Sequence, residues 1–95
     1  MHPDYAGGYR TAIESEAFRL ADQIMEALRP LGFHCTSNLG ETNVIIKVTY
    51  PDGGRDVARV YIDPDWQRPF IQAKRAVPRD LAAIATAVDL IASKR

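Results

Sequence analysis

The sequence predicts an α+β fold: two helices packed on one face of a three- or four-stranded antiparallel sheet, in the order α-β-β-β-(β)-α. Three observations predict it. Apolar residues recur every three or four positions over residues 13–31 and again over 81–92, the spacing of one helix face. Between those stretches the apolar period falls to two, as on a half-buried strand. Pro51-Asp52-Gly53-Gly54 and Asp63-Pro64-Asp65-Trp66 then punctuate the middle with turns.

Residues 1–9 are polar and glycine-rich, with Tyr5 and Tyr9 as the only anchors. They read as an extended N-terminal arm, and residues 10–95 as a single α+β domain. Thr11 followed by Glu14 is a capping-box pattern and predicts the start of the first helix. Ile13, Ala17, Leu20, Ile24, Leu28 and Leu31 form its buried stripe, widened by Phe18, Ala21 and Met25. Pro30 disfavours helical geometry at Arg29, and Gly32 completes the stop.

After the helix, Phe33, Cys35 and Ser37 point one way and His34, Thr36 and Asn38 the other. Residues 39–43 make a turn, and Val44–Tyr50 is the clearest strand. Val57–Asp63 returns beside it. If Tyr50 faces Asp56, then Val48 faces Ala58, Ile46 faces Val60 and Val44 faces Ile62. Every core-facing pair is then apolar, which a one-residue slip destroys. The opposite face places Ile45 against Tyr61, Lys47 against Arg59 and Thr49 against Val57.

Phe70–Ala76 is a candidate fourth strand, with Ile71 and Ala73 toward the core. Pro69 restricts it to the sheet edge. Pro78 suits the first turn of the last helix, with Asp80 near its positive end and Lys94 and Arg95 at its negative end. Leu81, Ile84, Ala85, Val88, Ile91 and Ala92 supply the buried stripe. Ala83, Ala87 and Leu90 lie beside it, either as a homodimer seam or packed on the first helix.

Composition excludes several classes of function. Twelve basic and twelve acidic side chains cancel, so no bulk charge drives the chain toward nucleic acid or anionic lipid. Cys35 is the only cysteine, which rules out an internal disulfide framework. No signal-peptide pattern opens the sequence, and no run of about 18 apolar residues could span a bilayer. A cytoplasmic protein with no membrane association is expected. Nine arginines against three lysines, with alanine abundant, is what GC-rich codons produce, so a bacterial or phage gene is expected.

No catalytic or metal constellation is expected. His34 and Cys35 are strand neighbours and point to opposite faces, so they cannot form a nucleophile–base pair. Three Cys and His residues, one of them His2 in the arm, do not supply a zinc site. Asp52, Asp63 and Asp65 are turn aspartates, which bond their own backbone. Gly7-Gly8 and Gly53-Gly54 lack the flanking residues of a phosphate loop. No cofactor is called for.

What remains is the open face of the sheet, displaying Lys47, Arg59, Tyr61, Phe70 and Lys74, with Arg55, Trp66 and Arg68 at the rim. Lys47 opposite Arg59 is unfavourable unless solvated or shared with an anion. Trp, Tyr and Arg dominate protein-binding hot spots, while aromatic and basic side chains interleaved also suit a single-strand binding platform. The element order is similar to that of the double-stranded RNA-binding domain, whose last helix opens on lysines. Here the matching stretch is Pro78-Arg79-Asp80-Leu81, and double-stranded RNA binding is not expected. The leading expectation is a non-catalytic protein–protein interaction module, such as a small regulator or inhibitor of the anti-CRISPR kind. The alternative is single-stranded nucleic-acid or anionic-ligand binding on the open face, and a small enzyme comes third.

Overall fold

The computed structural model describes residues 3–41, 43–52, 54–63 and 69–93, with side chains from Glu16 onward. Trp66 and Arg68 of the expected face, the turn residues Gly53, Pro64 and Asp65, His2, and the terminal Lys94 and Arg95 lie outside the described residues. The elements run α1 (Pro3–Leu28), a 3-10 turn (Arg29–Leu31), β1 (His34–Leu39), β2 (Val44–Thr49), β3 (Asp56–Ile62), β4 (Phe70–Ala73) and α2 (Pro78–Ala92). The four strands form one open antiparallel meander, β1-β2-β3-β4.

Helix α1 starts at Pro3, not at Thr11, so residues 3–9 are helical rather than an extended arm. Pro3 falls in the first turn, where its missing N–H costs nothing. Gly7 and Gly8 each disfavour a helix by about 1 kcal/mol, yet the backbone passes through them. At the other end Gly32 adopts φ 96°, and its N–H donates to the Arg29 carbonyl at 2.9 Å. The 3-10 turn rotates Leu31 off the core stripe, leaving it 48% exposed rather than buried.

The core lies between the helices and the sheet. Ala17, Leu20, Ala21, Ile24, Met25 and Leu28 of α1 meet Val44, Ile46 and Val48 of β2, Ala58, Val60 and Ile62 of β3, and Ile84 and Val88 of α2. Of the expected α2 stripe, only Ile84 and Val88 are fully covered. Leu81, Ala85, Ile91 and Ala92 are half-buried, because α2 lies against α1 at the margin of the layer. Ile71 packs against the core, whereas Ala73, expected inward, is exposed at the end of the edge strand.

The central register is the expected one from Val44↔Ile62 through Val48↔Ala58. It then shifts: Thr49 pairs with Asp56, not with Val57. Val57 is therefore the extra residue of a β-bulge, and consecutive Val57 and Ala58 are both fully buried. An apolar side chain at 57 gains more by entering the core than by lying on the open face. The bulge turns Asp56 onto that open face instead.

Candidate functional site

Helix α1 packs on β1 and β2, and both helices cover the sheet face that bears Val44, Ile46 and Val48. No described element packs on the opposite face. Across it run two rows set by strand pairing. The first is Asn38–Ile45–Tyr61–Phe70 and the second Thr36–Lys47–Arg59–Gln72. Lys47, Arg59, Tyr61, Phe70 and Gln72 thus share one face, as the alternation along the strands predicts.

In the first row the Tyr61 and Phe70 rings stand 6.1 Å apart at 47°, a tilted aromatic pair. The Tyr61 hydroxyl donates to Gln72 Oε1 at 2.8 Å, which fixes the ring against the neighbouring strand. Phe70 stays 54% exposed, a large apolar surface.

In the second row two cations face each other directly, and Asp56 resolves the conflict. Its Oδ1 lies 3.6 Å from Lys47 Nζ and its Oδ2 3.6 Å from Arg59 Nη2. These are ion pairs longer than hydrogen bonds, and Asp56 Oδ1 and Arg59 Nε are buried without a hydrogen-bond partner among the described residues. Sequence reading missed Asp56 because only the bulge brings it round. The signal that could have found it was the like-charged cross-strand pair, which calls for a shared anion.

The hairpin end of the same face holds a hollow of about 470 Å³ lined by Lys47, Gly54, Arg55, Asp56, Lys74 and Arg75. Its floor comes from β4 running past its last paired residue: Lys74 N–H donates to the Val57 carbonyl at 3.0 Å and Arg75 N–H to that of Asp56 at 3.2 Å. Arg55 is held from outside the hollow. It pairs with Asp52 at 2.7 Å and stands over the Tyr50 ring, 5.2 Å from the centroid. Tyr50 in turn donates its hydroxyl to Asp80 Oδ2 at 2.7 Å and meets Phe33 at 6.2 Å, which ties the hairpin to α2. The Asp80 bond holds the Tyr50 pKa above its usual value, with burial adding to the rise.

Elsewhere the structure offers less chemistry. His34 is exposed on the open face, and Cys35 is half-buried on the other, as strand geometry requires. Burial pushes the Cys35 thiol pKa up, partly offset by Arg29, so the thiolate is disfavoured. Among the described residues no three His, Cys, Asp or Glu side chains gather where they could hold a metal ion. None of the described helices is long and apolar enough to cross a membrane.

Two further hollows lie on the helical layer. One, of about 720 Å³, is lined by Glu16, Arg19, Gln23 and Glu26 with Leu20, Ala27 and Ile91, so its charges are of both signs. The other, of about 530 Å³, is apolar, and Ala83, Ala87 and Leu90 line it with Ala27, Leu31 and Ile91. Ala87 also packs on the core, while Leu90 is 54% exposed. The small-residue stripe therefore serves the α1–α2 contact and a groove at once. Comparison with protein-family models, with curated proteins and with solved structures finds no match for this chain.

Proposed function

We propose that this protein is a non-catalytic interaction module that binds another protein through the bare face of its sheet, acting as a small regulator or inhibitor. One observation carries the reading. An exposed Phe70, braced by Tyr61 in the row Ile45–Tyr61–Phe70, shares a face with the Lys47–Asp56–Arg59 cluster, and no described helix covers that face. An aromatic anchor in a charged frame is the composition of a binding hot spot and its rim.

The experiment is partner capture from the native host with three baits: the wild type, Phe70→Ala, and a control altered on the helical layer, Arg19→Gln. A protein retained by the wild type and the control but lost from Phe70→Ala supports the reading. Equal retention by all three baits refutes it. The second reading, single-stranded nucleic-acid or anionic-ligand binding on this face, is favoured by the basic hollow at the hairpin end. A nuclease-treated parallel separates the two, because a partner protein held directly survives the treatment.

A further inference from the structure

We propose that the hollow at the hairpin end of the open face is a binding site for a phosphate-type oxyanion carrying two or more charges. The inference goes beyond the protein-binding reading and does not depend on it. Four cations, Lys47, Arg55, Lys74 and Arg75, line this space with a single carboxylate, Asp56, in a chain whose charges cancel overall. That carboxylate is engaged by Lys47 and by Arg59, and Arg55 is engaged by Asp52. Lys74 and Arg75 have no side-chain partner among the described residues, and both are exposed. Two uncompensated cations bordering one concavity raise its potential well above that of a mixed surface.

The backbone makes this arrangement specific. Consecutive residues on a strand point to opposite faces, yet Lys74 and Arg75 border the same hollow. They do so because the chain bends after Ala73 while their N–H groups stay bonded to the carbonyls of the bulge, at Val57 and Asp56. Gly54 adds to it from the turn. It adopts φ 79°, where a side chain is strained, and a Cβ built there meets nothing within 4 Å, so the rim stays open to a ligand. The Asp56 carboxylate repels an anion, which biases the site toward ligands reaching Lys74 and Arg75 first. An ammonium and a guanidinium side by side offer charge-assisted bonds to several oxygens at once, as a phosphate group presents them.

The test titrates the full chain, labelled with ¹⁵N, with sodium pyrophosphate and with oligothymidylate, each at constant ionic strength held with sodium chloride. The expected result is a saturable shift of the Gly54, Arg55, Lys74 and Arg75 amides with at least one of the two. Lys74→Gln and Arg75→Gln each weaken it about tenfold or more. Both side chains are exposed and make no intramolecular bond among the described residues, so the variants keep the wild-type spectrum elsewhere. Pyrophosphate binding as tightly as the oligonucleotide identifies a free oxyanion. Tighter oligonucleotide binding, weakened by Phe70→Ala, identifies a nucleic-acid strand. Absence of a saturable shift with both probes, or shifts that persist when Lys74→Gln and Arg75→Gln are combined, overturns the proposal. Neither outcome bears on protein capture by the Phe70 surface, which is read by its own bait.

Discussion

Lys47 and Arg59 sit on neighbouring strands as a direct cross-strand pair, where like charges repel. Asp56 reaches both at 3.6 Å, so its removal leaves the repulsion bare as well as losing two ion pairs. Asp56→Ala is expected to lower stability by about 1 kcal/mol, at the upper end for partly exposed pairs. The same substitution in a Lys47→Ala background is expected to lower it by less, because the pair no longer repels. Urea unfolding of the four proteins measures the difference. Cys35 makes a second residue-scale expectation. Its raised pKa and half-burial make alkylation by iodoacetamide at pH 8 several-fold slower in the folded chain than in urea. Tyr50 gives a pH signature with a defined sign. The bond to Asp80 favours the protonated phenol, so the folded pKa lies above the unfolded value of about 10.0. Its contribution is complete below that pH and is lost as the pH rises from there through the folded value. The urea midpoint of the wild type should therefore fall over that window more steeply than that of Tyr50→Phe.

At the scale of elements, legibility followed the strength of the local pattern. Pro30, Gly32 and Pro78 mark boundaries by fixing or freeing φ, and those ends fall where the sequence places them. The start of α1 was illegible, because Thr11–Glu14 resembles a capping box while Pro3 and Asp4 offer an equally valid start upstream. The β2–β3 register was legible from apolar pairing up to Val48↔Ala58, since three aligned core-facing apolar pairs tolerate no slip. The bulge was not, since Val57 fits either face by composition and only the buried volume decides. The candidate face was legible at Lys47, Arg59, Tyr61 and Phe70, which the alternation of β2, β3 and β4 brings together. Asp56 and Arg75 were hidden, because both reach it through departures from that alternation. The covered face carries the element-scale prediction. Ile84 is fully buried among the core side chains beneath α2, so Ile84→Ala should cost about 2 to 5 kcal/mol, measured by denaturant unfolding. Ala82, exposed on the same helix, should accept Glu with a change below about 0.5 kcal/mol.

On the scale of the whole molecule the decisive asymmetry is that two helices cover one side of a four-stranded sheet and no described element covers the other. Stability thereby rests on one face of the strands, and the proposed recognition falls on the other. Val44, Ile46 and Val48 of β2 hold the fold, while Ile45 and Lys47 between them meet solvent. That separation makes a prediction that a purely structural role for the bare face would fail. Tyr61→Ala and Phe70→Ala together remove one tilted ring pair and one exposed hydrogen bond, to Gln72. Such a pair is worth about 0.5 to 1.5 kcal/mol beyond area burial, so the double variant should stay folded with its unfolding midpoint modestly lowered. Under the proposed function these rings anchor the partner, and truncating such an anchor typically costs 2 kcal/mol or more, on the order of thirtyfold in affinity. The expected outcome is a folded protein that no longer retains its partner, read by circular dichroism and by capture on the same samples. If the double variant unfolds, or if it keeps its partner at wild-type affinity, the aromatic row belongs to the fold and the binding surface lies elsewhere.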